Sequence, residues 1–93
     1  MARLVFRVHA LERMFGRGID VDDVTKVLAE GKDIETYADD SPYPSRLVLG
    51  WVGERPLHVV MADDYGNDLK IVITVYEPEP GLWDDGFERR KAR

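Results

Sequence analysis

SRLVLGWVGERPLHVVMADDYGNDLKIVITVY, residues 45–76, is the stretch of sequence that decides the fold. It contains three apolar runs that alternate with a period of two, at residues 45–52, 57–63 and 69–76. This period places successive side chains on opposite faces of a β-sheet. The runs are separated by two short segments rich in turn-forming residues. The stretch therefore predicts an antiparallel meander of three strands.

Two segments before the meander have the period of an amphipathic helix. The first begins near residue 8, and Gly16 and Gly18 are placed to end it. Its apolar stripe is Val8, Leu11, Met14 and Phe15. The second begins at Asp20, whose side chain can cap it, and ends at Gly31. Its apolar stripe is Val21, Val24, Val27 and Leu28. We expect both stripes to pack on the sheet.

The remaining segments extend this arrangement at both ends. Residues 3–8 alternate and predict a short strand that leads into the first helix, and residues 33–38 predict another strand. Trp83 and Phe87 lie four positions apart and predict a short C-terminal helical turn. The fold class is α+β, one domain over residues 1–93, with two N-terminal helices on one face of a three- to four-stranded antiparallel sheet. The predicted core is Leu11, Met14, Val24, Leu28, Leu49, Val59, Met61, Ile71 and Ile73.

Composition narrows the classes of protein to which the chain can belong. It has 93 residues, 44% of them apolar, and no cysteine, which excludes disulfides and thiolate metal sites. No apolar run approaches the roughly 18 residues that span a bilayer. The first residues lack the apolar segment of a signal peptide. We therefore expect a cytoplasmic domain.

The charge is distributed unevenly along the chain. The net charge is −5, yet residues 1–17 carry four arginines against one glutamate, and residues 86–93 carry four basic groups against one glutamate. If the fold brings the two ends together, they form a basic patch that suits RNA on an otherwise acidic body. The alternative is a solvated helix face and a disordered basic tail.

Two groups of polar residues are candidates for a site. On the first helix, His9, Arg13 and Arg17 lie away from the Leu11 stripe, either as an ordinary solvated face or as a ridge whose guanidinium groups bind phosphate. In the meander, strand parity places His58 and Tyr76 on the face that the helices leave open. A histidine beside a tyrosine hydroxyl suits general acid–base chemistry, whereas the alternative is a half-buried histidine with a satisfied hydrogen bond.

No metal or cofactor site is predicted. The two histidines are 49 positions apart and no cysteine is present, so no ligand spacing typical of zinc occurs. Nucleotide-binding loops and the nucleophile elbow are absent as well. We expect the protein to act without a cofactor.

Motifs along most of the chain resemble one family. They are HAxxRMxxRxI at residues 9–19, PxP at 42–44, LxLG at 47–50, PLHVV at 56–60 and ITVYxP at 73–78, followed by Trp83 and Arg89. This pattern resembles the bacterial DUF 4258 family, a domain of unknown function. The layout is also similar to that of RelE-like and BrnT-like toxins, small α+β domains that cut messenger RNA and are neutralised by an antitoxin. The resemblance implies a polar signature of His9, Arg13, Arg17, His58, Tyr76 and Arg89.

Two functional hypotheses follow from the residues and the resemblance together. The first is a metal-independent endoribonuclease in which the ribose 2′-hydroxyl attacks the adjacent phosphate. His58 or His9 would exchange protons, Arg13 and Arg89 would stabilise the phosphorane, and Tyr76 would donate a hydrogen bond. Arg17, Arg89 and Arg90 would bind the substrate.

The second hypothesis is a non-catalytic domain that binds a protein partner through a sheet edge or the tail. For the first hypothesis, we expect the first helix, the His58 face and the tail from residue 83 to 90 to converge on one shallow polar cleft.

Overall fold

A computed structural model describes residues 2–92. Seven elements follow one another along the chain: β1 (Arg3–Phe6), α1 (Val8–Arg17), α2 (Val21–Glu30), β2 (Lys32–Tyr37), β3 (Ser45–Val52), β4 (Arg55–Asp64) and β5 (Leu69–Tyr76). Arg93, which contributes to the basic C-terminus in the sequence, lies outside the described residues. None of the helices in residues 2–92 is long and apolar enough to cross a membrane.

The sheet has five strands in the order β1-β5-β4-β3-β2. The pairs from β2 to β5 are antiparallel, which confirms the meander, whereas β1 lies parallel to β5 with Val5 opposite Ile71. The predicted three- to four-stranded antiparallel sheet is therefore wrong. β2 occupies the free edge of β3, so the N-terminal segment takes the other edge, beside β5. β1 runs along this edge in the direction that leads into α1. This is also the direction of β5, so β1 and β5 are parallel.

The predicted start of α2 is confirmed. Asp20 and Asp23 form a reciprocal capping box, in which the Asp23 amide donates to the Asp20 carboxylate at 2.9 Å and the Asp20 amide donates to Asp23 at 3.1 Å. α1 ends at Gly18, whose φ of 65° lies in the left-handed region that glycine tolerates. The tight link between the two helices places both on one face of the sheet, as predicted.

The core between the helices and the sheet uses a different side of α1 from the predicted one. Ala10 and Met14 are buried, whereas Leu11 is 43% exposed and Phe15 is 92% exposed. The predicted stripe is therefore confirmed at Met14 and wrong at Val8, Leu11 and Phe15, because α1 packs on β5 through the small side chain of Ala10 and the flexible one of Met14. The core comprises Ala10, Met14, Ile19, Val24, Val27, Val48, Leu57, Val59, Val72 and Val75.

A register shift in β5 changes the predicted inward row. Val60 lies opposite Thr74 but Met61 lies opposite Val72, which leaves Ile73 without a cross-strand partner. Val72 and Val75 consequently both join the core, and Ile73 is only half-buried. Downstream of the shift, Tyr76 lies opposite His58, so the two share the face away from the helices, as predicted.

The C-terminal segment folds back as an irregular loop. The predicted helical turn is wrong, because Phe87 has a φ of 59° and a helix cannot continue through such a residue. Instead Trp83 bridges Arg90, the Asp84 amide donates to the Arg89 carbonyl at 2.9 Å, and the Lys91 amide donates to the Leu82 carbonyl at 2.9 Å. We call residues 82–91 the C-terminal loop. It covers the second face of the sheet, which the helices leave open.

We expect Gly50→Ala to destabilise the fold by about 1–3 kcal/mol, since an added methyl group must displace a packed neighbour. A β-carbon at Gly50 would lie 2.7 Å from the Val27 Cγ1 and 3.0 Å from the Val27 Cα. Gly16→Ala is the control, because no atom lies within 4 Å and alanine favours the helix by up to about 1 kcal/mol. Urea denaturation measures both, and equal stabilities of the two variants would contradict the packing of α2 on β3.

Candidate functional site

His58 is enclosed between the second face of the sheet and the C-terminal loop. Its side chain has no exposed surface. The Nε2 atom lies 2.8 Å from the carbonyl oxygen of Phe87, and the Nδ1 atom lies 3.1 Å from the hydroxyl of Tyr76. The Trp83 ring packs edge-on against the imidazole, with the ring centroids 4.5 Å apart. Both ring nitrogens therefore have partners inside the protein.

These contacts fix the tautomer of His58. A carbonyl oxygen can only accept, so Nε2 carries a proton and donates it to Phe87. Burial lowers the pKa of His58 below its ordinary value, although the Phe87 carbonyl opposes this shift. The ring is consequently neutral near pH 7, and Nδ1 accepts the hydrogen bond that the Tyr76 hydroxyl donates. The pair is a tyrosine oriented by a neutral histidine.

Tyr76 is the member of this pair that solvent can reach. It is half-buried, and burial raises the pKa of its hydroxyl above the usual value. Glu35 raises and Arg90 lowers the pKa of both Tyr76 and His58. The phenol thus keeps its proton at neutral pH while two opposite charges act on it.

Glu35, which acts on the pKa of both Tyr76 and His58, was not predicted from the sequence as a site residue. The Tyr37 hydroxyl donates to its carboxylate, and this hydrogen bond raises the pKa of Tyr37 to about 12. Glu35 and Tyr37 lie two positions apart on β2, and Glu35 pairs with Leu47 on β3. The alternation of side chains along residues 33–38 could have identified Glu35, because it places the Glu35 and Tyr37 side chains on the second face.

Side chains from α1, β5 and the C-terminal loop line a shallow cleft of about 190 Å³. Its lining is Arg13, Arg17, Tyr76, Glu77, Glu79, Leu82, Trp83 and Arg90. A second hollow of about 270 Å³ lies along α1 and is lined by His9, Glu12, Arg13, Gly16 and Arg17. Because the two share Arg13 and Arg17, they form one continuous surface, which we call the arginine cleft.

Some charged side chains in the arginine cleft have an ion-pair partner and others do not. Arg13 and Arg17 have no carboxylate partner among residues 2–92, and Arg90 lies over the Trp83 ring at 5.2 Å from its centroid. Glu77, in contrast, pairs with Arg55. The cleft is therefore locally cationic on an acidic protein.

Arg55 also holds the end of α1 against the sheet. Its guanidinium donates to the carbonyl of Arg17 at 2.5 Å and to the carbonyl of Gly18 at 3.2 Å, while its Nε pairs with Glu77. The carbonyls at a helix C-terminus carry partial negative charge, which favours a cation there. This residue, absent from the predicted site, fixes the position of Arg17 beside Tyr76. Its place within the predicted turn of residues 53–56 gave no signal of that role.

The structure brings together four of the predicted site residues and separates the others. Arg13, Arg17, Tyr76 and Arg90 line one cleft, and His9 lies in the adjoining hollow. His58 contacts Tyr76 and is covered by the C-terminal loop. Its predicted position on an open face is therefore wrong. Arg89 is exposed but does not line the cleft, and its carbonyl instead closes the loop.

A family model described as "Domain of unknown function (DUF4258)" matches residues 6–77. The chain belongs to the DUF4258 family. Comparison with curated proteins and with solved structures gave no match. The segment matched by the DUF4258 model includes His9, Arg13, Arg17, His58 and Tyr76 and ends before the C-terminal loop. Within residues 2–92 of this DUF4258 domain, no group of three histidine, aspartate or glutamate side chains could hold a metal ion.

We expect the stability of this DUF4258 domain to fall as the pH drops from about 7.5 to 5. The pKa of His58 is lowered in the folded state, so the unfolded chain, with an ordinary histidine pKa near 6.5, binds more protons in this range. Unfolding is therefore favoured on acidification, and the contribution is complete above about pH 7.5. Urea denaturation at several pH values measures the slope.

A His58→Gln variant separates this effect from other titrating groups. The variant lacks the imidazole, so its free energy of unfolding should change less between pH 7.5 and 5 than that of the wild type. Carboxylates such as Asp64, whose pKa is lowered by hydrogen bonds from Asn67, titrate at lower pH and are common to both proteins. Identical slopes would contradict a neutral, buried His58.

Proposed function

We propose that this domain binds the phosphate backbone of RNA in the arginine cleft and cleaves it without a metal ion, as a toxin-type endoribonuclease. The observation that carries the proposal is that Arg13, Arg17 and Arg90 line one cleft together with Tyr76. Guanidinium groups present forked donors that match phosphate oxygens. A tyrosine hydroxyl at the same place supplies a group able to exchange a proton.

The cleft suits a phosphodiester because its cations are available. Arg13 and Arg17 come from one helix face and Arg90 from the C-terminal loop, so a phosphate between them would contact two parts of the chain. Three carboxylates line the arginine cleft, those of Glu12, Glu77 and Glu79, and the pairing of Glu77 with Arg55 neutralises one of them. Attraction is local, since the whole chain carries a net charge of −5.

The proposed reaction is attack of the ribose 2′-oxygen on the adjacent phosphorus. The 2′-hydroxyl proton passes to the Tyr76 oxygen as the phenolic proton passes to Nδ1 of His58. The bond between phosphorus and the 5′-oxygen breaks, and the 5′-oxygen takes a proton from His9, one helical turn from Arg13. A 2′,3′-cyclic phosphate remains, and the arginines stabilise the charge that develops on the phosphorane oxygens.

This assignment changes the roles that the sequence suggested. His58 is enclosed and cannot touch a substrate, so it acts through Tyr76 as a positioning residue and proton acceptor. Arg90 replaces Arg89 as the loop arginine at the phosphate. The resemblance to RelE-like and BrnT-like toxins supports the choice of messenger RNA as substrate and of an antitoxin protein as partner.

Arg13→Ala should weaken the binding of single-stranded RNA by about tenfold at low salt, because it removes one ion pair with phosphate. The slope of log K against log salt should accordingly become shallower by about 0.7. Lys26→Ala is the matched control, because it removes the same charge from an exposed site on α2, away from the arginine cleft. Fluorescence anisotropy at several salt concentrations measures both. Equally weakened binding in the two variants would contradict a specific site.

Tyr76→Phe should lower the rate of RNA cleavage by at least about 10²-fold. RNA binding should be retained, because only the hydroxyl is removed. A DNA strand of the same sequence should remain intact, since it lacks the attacking 2′-hydroxyl. Gel analysis of the RNA, with detection of the 2′,3′-cyclic phosphate, measures cleavage. Full activity in Tyr76→Phe, or cleavage of the DNA, would exclude this mechanism.

A further inference from the structure

The flank of α1 away from the arginine cleft exposes apolar side chains. Phe15 is 92% exposed, Val8 72% and Leu11 43%, and Val21 at the start of α2 is 47% exposed. Phe15, Leu11 and Val21 line a groove of about 740 Å³ between the two helices. The groove is lined by Leu11, Glu12, Met14, Phe15, Ile19, Asp20 and Val21. Exposed apolar groups gathered in this way mark an interaction surface.

The exposed apolar residues of α1 follow the spacing of a helix–helix seam. Val8, Leu11 and Phe15 are three and four positions apart, which places them on one side of the helix. At about 100° per residue, Arg13 and Arg17 lie roughly opposite them. α1 therefore presents two surfaces, a cationic one and an apolar one, separated by the buried Ala10 and Met14.

Charge at the groove distinguishes between possible occupants. The polar residues in its lining are Glu12 and Asp20, and Asp22 is exposed beside them in the first turn of α2. None of the three forms an ion pair with a basic side chain in residues 2–92. A second copy of this chain would bring two acidic rims together, which is unfavourable. A basic partner would neutralise them.

We propose that this groove binds an amphipathic α-helix of a protein partner, with lysine or arginine residues beside its apolar stripe. The apolar stripe of the partner packs between Leu11 and Val21, and its basic side chains pair with Glu12 and Asp20. Helices bind to grooves in this way through residues spaced three and four apart. The proposal does not depend on RNA cleavage, because the apolar residues of the groove do not line the arginine cleft, and Glu12 is the residue that the two linings share.

Phe15 is the anchor of this interaction. It is the most exposed large apolar side chain of the groove, and an aromatic residue at the centre of an interface contributes more than its neighbours. Its replacement by alanine leaves the core intact, so the variant remains folded. Binding and folding can therefore be tested separately.

The test uses a synthetic helical peptide of about 18 residues, long enough to form a helix, with leucine at heptad a and d positions and lysine beside them. We expect micromolar binding to the full chain by isothermal titration calorimetry, and binding weaker by about tenfold or more in Phe15→Ala. A peptide with glutamate in place of every lysine is the matched control and should not bind. Glu12→Gln should weaken binding about threefold, whereas Glu30→Gln, at the other end of α2, should not.

Three results would overturn the proposal. One is equal binding of the lysine and glutamate peptides, and another is an affinity for the lysine peptide that Phe15→Ala leaves unchanged. The third is a dimer of the chain alone in sedimentation that Phe15→Ala converts to a monomer, since a second copy then covers the groove. RNA binding by Phe15→Ala should equal that of the wild type, which keeps the outcome for this surface separate from that for the arginine cleft.

Discussion

The hydrogen bonds of the His58 ring are the interaction on which the second face of the sheet depends. An unsatisfied polar group in such a place costs about 1–3 kcal/mol, so the buried imidazole requires both of its partners. One partner belongs to β5, and the other is Phe87, 29 residues further along the chain. Among residues 2–92, the backbone hydrogen bonds of the C-terminal loop all join residues 79–91 to one another. The imidazole, with Trp83 packed against it, therefore anchors this loop on the sheet, together with the Phe87 ring against Trp51 and the ion pair of Glu88 with Lys32.

Features set by neighbouring residues were predictable from the sequence. The three strands of the meander and the capped start of α2 each depend on a local period or a local hydrogen bond. The shared face of His58 and Tyr76 was predictable for the same reason, because the two are directly paired and the register shift lies further along, between Val60 and Met61. The side of α1 that packs was not, since Leu11 and Phe15 are more apolar than Ala10. A small residue permits close packing on β5, which apolar content alone does not reveal.

Features set by distant residues were not predictable. The enclosure of His58 depends on a loop that follows β5, and its left-handed Phe87 contradicts the helical spacing of Trp83 and Phe87. The arginine cleft was predicted as a patch of charge that included both Arg89 and Arg90, yet Arg90 lines it and Arg89 does not. Which of two adjacent arginines faces a cleft depends on the backbone of the loop, and no period in the sequence records it.

The parallel pairing of β1 with β5 affects the order in which the chain can fold. Arg3 lies opposite Leu69, 66 positions away, so loop-closure entropy opposes this contact more than any hairpin of the meander. At a synthesis rate of about 5–20 residues per second, β1 leaves the ribosome roughly 3–13 s before its partner strand exists. During that time it is an unpaired strand that could join another chain. Arg3 and Arg7, which bracket its apolar residues, are the charged groups that oppose such aggregation.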